Sequence, residues 1–304
     1  MKIIRFLLCL LIFSTHPVLS DASTYISSDT LPPTTKILGG TESKPGDWPW
    51  ITALLVADQP DMYQAQFCGG VLIDKSWVLT AAHCVNNESP DDLHVAIGVF
   101  DLKDFSGNRI SINDIRVHPL YNTTTFHNDI ALLHLASPST GQIISLFSGE
   151  SKENANPSLL GRVLTAMGWG HADTGSSMYY PNKLRQVNLP AVNNSFCNNV
   201  YSTSLVSSQL CAGYYEGKDV CNGDSGGPMV TQIDGTWAHT GLVSYGSKCS
   251  DYGGWYGVYT RTSAFVDFIK QYVPNAQFTS AASTPEENKA PLSWLQLLLG
   301  TGTK

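Results

Sequence analysis

Gly223-Asp224-Ser225-Gly226-Gly227-Pro228 is the stretch on which the reading of this chain turns. A serine hydroxyl is a weak nucleophile and needs a base beside it. Glycines around it let the backbone turn sharply and bring N–H groups close to a developing oxyanion. As a bare G-x-S-x-G the stretch is ambiguous, because hydrolases built on strand–helix alternation carry it too. Those enzymes place the acid and then the histidine after the serine. Here the only histidine after Ser225 is His239, inside the hairpin-like Thr236-Trp237-Ala238-His239-Thr240. The candidate partners stand upstream, in Thr80-Ala81-Ala82-His83-Cys84 and Asn128-Asp129-Ile130-Ala131-Leu132. The order His83, Asp129, Ser225 disfavours the strand–helix reading.

Working outward, the middle of the chain is β-rich. Short apolar or β-branched runs include Trp50 to Val56, Gly70 to Ile73, Trp77 to Ala81, Ile130 to Leu135, Arg162 to Met167, Pro228 to Ile233 and Thr240 to Tyr245. Turn residues such as Asp234-Gly235, Ser106-Gly107-Asn108 and Ser89-Pro90-Asp91 separate them. One helical stripe emerges near the end, at Ala264, Phe265, Phe268, Ile269 and Tyr272. The pattern predicts an all-β body with a closing helix.

The 304 residues are 42% hydrophobic and 14% charged, with a net charge of −7. That composition suits a folded body and argues against disorder. Only 18 Lys and Arg argue against a nucleic-acid partner, which needs a basic face. No phosphate loop, H-E-x-x-H or C-x-x-C is present.

Residues 1–20 carry Lys2 and Arg5 before an apolar run to Phe13, then Val18 and Ser20 ahead of Asp21. This reads as a secretory signal peptide, the run being too short to span a bilayer. Secretion changes the reading of the seven cysteines. Cys9 leaves with the signal, and Cys68, Cys84, Cys197, Cys211, Cys221 and Cys249 remain as three expected disulfides. Six cysteines allow fifteen pairings, among which the sequence does not choose. Residues 274–304 read as a linker-like tail ending in a short apolar patch, Leu292 to Gly300. Asn87, Asn122 and Asn193 open glycosylation sequons.

Further motifs join these: Ile37-Leu38-Gly39-Gly40, Cys68-Gly69-Gly70-Val71, Gly168-Trp169-Gly170, Ser244-Tyr245-Gly246 and Gly257-Val258-Tyr259-Thr260. From Ile37 to about Val273, in order and spacing, the chain resembles the chymotrypsin/trypsin family of secreted serine proteases. The resemblance implies two six-stranded antiparallel β-barrels with the site between them, and a C-terminal helix. It implies Ser225 as nucleophile, His83 as base, Asp129 as orienting acid, and the N–H groups of Gly223 and Ser225 as oxyanion hole. Ser244 resembles the serine that supports the aspartate. Cys68–Cys84, Cys197–Cys211 and Cys221–Cys249 are the pairings it implies. Two other bridges common in the family are absent, Leu164 and Thr231 standing at one pair's places.

Asp219 stands where the family has its pocket floor, with Gly246 and Gly257 at the wall positions, which implies cleavage after Arg or Lys. Val220 replaces a serine usual in trypsins and removes a hydroxyl that could accept from lysine, so Arg is expected to outrank Lys. Tyr256 stands where tyrosine goes with sodium sensitivity in the family. Residues 21–36 are expected to be a propeptide, cut between Lys36 and Ile37. The freed amine of Ile37 would then pair with Asp224. The domains are thus 1–20, 21–36, a protease domain 37–273 and the tail. The expected partners are protein or peptide substrates, an activating protease and protein inhibitors, outside the cell, with no membrane contact through the tail. No cofactor or metal is expected; Val99 and Arg109 occupy the places of glutamates in the calcium loop of trypsins. A non-enzymatic member of the family would lack a triad residue, and this chain lacks none.

Overall fold

The computed structural model describes residues 40–149, 159–173, 178–214, 220–246 and 256–281. Lys36, Ile37, Asp219, Cys249 and the apolar patch at 292–300 lie outside them.

After a two-residue strand β1 (Thr41–Glu42), six strands form the first barrel: β2 (Ile51–Val56), β3 (Gln66–Asp74), β4 (Trp77–Thr80), β5 (Leu93–Ile97), β6 (Ile110–Val117) and β7 (Ala131–Leu135). They close in the order β2-β3-β4-β7-β6-β5, every pairing antiparallel. Closure leaves no strand edge exposed. β2 is buried from Ile51 to Leu55, which is why its sequence reads as an unbroken apolar run rather than an alternating one. A short helix α1 (Met62–Ala65) sits between β2 and β3, capped by the Asp61 carboxylate accepting from Gln64 N–H.

The chain crosses through β8 (Ser145–Phe147) into the second barrel. Its strands are β9 (Val163–Gly168), β12 (Arg185–Val192), β13 (Gln209–Ala212), β14 (Pro228–Ile233), β15 (Thr236–Tyr245) and β16 (Gly257–Arg261). A small hairpin, β10 (Ala172–Asp173) and β11 (Met178–Tyr179), falls between β9 and β12. The order β14-β9-β12-β13-β16-β15 closes through β14–β15. That last pairing turns on Asp234-Gly235, with φ of 50° and 81° and Ile233 facing Thr236. Two central residues of positive φ match the right-handed twist of a hairpin, and Asp-Gly is a pair that tolerates them.

Helix α2 (Asn194–Tyr201) is capped by Asn193, whose side chain accepts from Ser195 N–H. Helix α3 (Val266–Tyr272) follows a tight turn at Thr262–Phe265, and the expected stripe buries Phe265, Phe268 and Ile269. Full burial of such side chains contributes roughly 1.5–3 kcal/mol each.

The body does not stop at 273. Strand β17 (Phe278–Thr279) runs parallel to β8, which itself runs parallel to β15. Ser148 N–H and its hydroxyl both donate to the Thr279 carbonyl, at 2.9 and 3.0 Å. Residues 274–281 are therefore part of the folded body, and residues 282–304 lie outside the described residues. Two residues of parallel ladder leave no period in the sequence, which is why Gln277 to Thr279 do not read as a strand.

Candidate active site

The first barrel brings His83 to the cleft on the turn that follows β4. His83 lies in a single 3-10 turn, Ala82–Cys84, stapled by the disulfide Cys68–Cys84. Asp129 lies two residues before β7, which pairs with β4 through Thr80↔Ala131. That register sets the two side chains together. The His83 N–H donates to Asp129 Oδ1 at 2.8 Å, and His83 Nδ1 lies 2.8 Å from Asp129 Oδ2. Asp129 is 0% exposed. An ionised carboxylate so placed needs donors on every side. The Ser244 hydroxyl of β15 supplies a third, to Oδ2 at 2.6 Å, and Thr260 of β16 donates to the Asp129 backbone carbonyl at 2.8 Å. The second barrel thus grips the aspartate of the first.

Ser225 sits on the loop before β14. Its carbonyl accepts from Gly69 N–H at 2.7 Å, and Gly226 N–H donates to Val243 at 2.9 Å. Gly226 has φ +73°, and a Cβ there would lie 2.4 Å from Thr80 Oγ1 and 2.6 Å from the Gly69 carbonyl. Only glycine fits, so the serine loop packs directly on the segment that leads to His83. No hydrogen bond joins the Ser225 hydroxyl to His83 among the described residues; in resting enzymes such bonds are often long and tighten with substrate. Gly223 takes φ +98°. Its carbonyl accepts from the Gln66 side chain at 3.1 Å. Among the described residues, neither Gly223 nor Ser225 gives its N–H to a protein acceptor.

Asp224 points away from the cleft and is 1% exposed. It accepts from Gly170 N–H at 2.7 Å and from Cys221 N–H at 2.8 Å. Burial, the larger cause, raises its carboxyl to about 6, against the pull of those two N–H groups and the charge of Arg185. A buried carboxyl at that level is a poorly compensated one.

Gly246 follows the end of β15 and Gly257 opens β16; Val220 is buried. Tyr245 has its phenol pushed up by burial. It belongs to a row of aromatic contacts from His83 to Phe126 at 5.8 Å, Phe126 to Tyr245 at 5.4 Å and Tyr245 to Tyr201 at 5.4 Å. On the other side of Gly223 a cleft of about 310 Å³ is lined by Tyr63, Gln66, Phe67, Trp169 and Tyr180.

The structure bonds Cys197 to Cys211, and Cys221 is also disulfide-bonded. Asn87, Asn122 and Asn193 are all exposed. The other histidines divide. His239 lies in β15, wholly buried, its Nδ1 3.0 Å from the Thr262 hydroxyl, and burial lowers it to about 3. His171 is buried in the loop after Gly170 and meets Tyr180 edge-on at 5.6 Å.

Sequence reasoning missed Phe126, Gln66, Thr260 and Arg185. Phe126 has φ 54°, rare for an aromatic residue. Nothing in Thr123-Thr124-Thr125-Phe126-His127 signals that, because the contact with His83 is made through space. Cys68, His83 and Cys84 also place three metal-type ligands close together. The two thiols are consumed by their disulfide, so the cluster cannot hold an ion as a thiolate site would.

Comparison with known proteins agrees with this geometry. The family described as Trypsin matches residues 37–269. The chain is 35% identical over 259 residues to the vitamin K-dependent protein C of Oryctolagus cuniculus, covering 82% of this chain and 55% of that protein. It is 37% identical over 253 residues to its counterpart in Mus musculus, covering 81% and 53%. It is 34% identical over 249 residues to a tryptase of Mus musculus, covering 78% of this chain and 89% of the tryptase. The chain belongs to the chymotrypsin/trypsin family of serine proteases. It spans about half the length of the protein C relatives. Among the described residues no helix is long and apolar enough to cross a membrane.

Proposed function

We propose that the chain is a secreted serine endopeptidase, made as a zymogen, that cleaves after Arg and less well after Lys. The observation that carries the reading is the buried Asp129 carboxylate, 2.8 Å from His83 Nδ1 and 2.6 Å from Ser244 Oγ. With the Nδ1 proton directed at Asp129, the Nε2 of His83 is the base. It takes the Ser225 proton as Oγ bonds to the scissile carbonyl carbon, and the carbonyl oxygen becomes an oxyanion. The Gly223 and Ser225 N–H groups receive that oxyanion; one such donor is typically worth ~2.7–4 kcal/mol. His83 then returns the proton to the leaving amine as the C–N bond breaks. Water hydrolyses the acyl-serine by the same exchange.

Asp219, outside the described residues, is assigned to the pocket floor from its place six residues before Ser225, as counterion to the substrate cation. Gly246 and Gly257 leave room for a long side chain, and Val220 removes a hydroxyl that lysine would use. Support for a zymogen comes from Asp224. Its buried carboxyl lacks a described ion pair, and the α-ammonium of Ile37, freed by a cut after Lys36, would supply one. Substrates are proteins or peptides with exposed Arg, and the partners are an activating protease and protein inhibitors.

The experiment is labelling with a fluorophosphonate, then a positional peptide-library digest with protein cut after Lys36. Labelling at Ser225 and cleavage after Arg support the reading. Failure to label would favour a binding module on the protease fold.

A further inference from the structure

Arg185 opens β12 at 4% exposure, and no step of the proposed reaction uses it. A buried guanidinium is tolerated only when its charge and donors are engaged. Its Nη2 donates to the Gly40 carbonyl at 3.0 Å. Gly40 is the first described residue, three positions after Ile37, and leads into β1. β1 pairs with β12 through Thr41↔Gln186 and Glu42↔Arg185, and beyond it the Ser43 N–H and hydroxyl donate to the Leu184 carbonyl at 3.0 and 3.1 Å, further from Gly40. A ladder of two residues is a weak tether by itself.

Across β12, Arg185 pairs with Gly168 of β9. A Cβ on Gly168 would fall 2.3 Å from Oδ1 of Asp224. One cross-strand row therefore runs Glu42, Arg185, Gly168 and ends on the Asp224 carboxylate. Burial lowers Arg185, while Glu42 on the other side favours its charged form, and the positive charge of Arg185 in turn favours the ionised form of Asp224. Three residues of chain reach at most about 10 Å, so where Gly40 is held decides where the amine of Ile37 can go.

From these placements we infer that Arg185 is a positioning residue of the activation switch. It clamps the Gly40 carbonyl so that the freed Ile37 terminus is delivered to Asp224 rather than to solvent. The inference rests on the reading that Ile37 is the N-terminus of the active enzyme. A neutral side chain at 185 leaves the Gly40 carbonyl to the short β1 ladder. The inserted and withdrawn states then lie closer in free energy, and the catalytic arrangement is assembled for a smaller share of the time.

The test cuts wild type, Arg185→Gln and Arg185→Lys after Lys36. It measures the rate at which cyanate blocks the Ile37 α-amine, by N-terminal sequencing yield, and kcat/KM on an arginyl chromogenic peptide. Arg185→Gln should block about tenfold faster and lose about tenfold in kcat/KM, the size expected for one charge-assisted hydrogen bond. Arg185→Lys keeps the charge without the fork and should fall between. A residue that only packs would lower the melting temperature without exposing the amine. Wild-type protection of the amine in folded Arg185→Gln would overturn the inference. If that variant does not fold, wild-type protection in Arg185→Lys would overturn it. An Ile37 amine as reactive in cut wild type as in a free Ile-Leu dipeptide would instead overturn the activation reading beneath it.

Discussion

Each half of the molecule buries a carboxylate, and the two are treated differently. Asp129, brought by the first barrel, receives His83 twice and Ser244 once, with its own backbone held by Thr260. Asp224, in the second, is equally buried and has, among the described residues, two backbone N–H groups and the field of Arg185. The first site is complete within the described residues. On the reading proposed above, the second is poised for a cation that a cut would deliver. Burial with full hydrogen bonding fixes a geometry, whereas burial without a counterion makes a geometry conditional. On this account the His83–Asp129 pair exists before and after activation, and only the loop from Cys221 to Ser225 awaits it.

The largest expected effect removes what both halves serve. Ser225→Ala in cut protein should lower kcat for amide hydrolysis by about a millionfold, with a melting temperature near wild type. Chromogenic assay and thermal melting measure the two together, and undiminished hydrolysis would remove Ser225 from its role. Next, Asp129→Asn leaves the shape of the first site but presents a donor to His83 Nδ1. The wrong tautomer should cost about 10⁴ in kcat. A loss under tenfold would mean that Asp129 only packs.

Asp219→Ser tests the second half through its substrate. A buried, unpaired substrate cation costs roughly 3–5 kcal/mol, so Arg substrates should lose two to four powers of ten while an apolar substrate loses little. Wild type preferring Phe over Arg would refute the pocket assignment. Equal kcat/KM for Arg and Lys would refute the role given to Val220.

The smallest effect separates the halves by pH. Burial raises Asp224 from 3.8 to about 6. The native state keeps this proton where the unfolded chain has released it. Its contribution is therefore present below about pH 4 and lost as pH rises through 6, by an amount on the order of 3 kcal/mol. His239 runs the other way. Lowered from 6.5 to about 3, it stays neutral in the fold, and stability is lost as pH falls from 6.5 toward 3. Denaturant midpoints of uncut parent and Asp224→Asn, taken between pH 4 and 7, isolate the first slope. A slope unchanged by the substitution would show that Asp224 is compensated without the cut.

The sequence carried the first half further than the second. The short apolar runs and the Asp234-Gly235 turn announce strands and hairpin because their chemistry is local. His83, Asp129 and Ser225 were legible because each sits inside an extended motif. The two donors from Ser244 and Thr260 meet Asp129 across 115 and 131 residues, and only the first was suspected, through the resemblance. Phe126, Gln66 and Arg185 carry no motif, since their roles come from register and from contacts through space. The body's continuation past 273 leaves no pattern to read, because Phe278–Thr279 make only two residues of parallel ladder.

The central claim is that the second half waits for the Ile37 terminus. The direct measurement is kcat/KM on an arginyl peptide for the uncut chain and for Lys36→Gln, each before and after treatment with a protease that cuts after Lys, with N-terminal sequencing of every sample. The account predicts that wild type becomes active only as Ile37 appears as a terminus. Lys36→Gln should stay uncut and at least a hundredfold below it, a gap of about 2.7 kcal/mol. Full activity in uncut Lys36→Gln, or an active wild type whose N-terminus is not Ile37, would contradict it.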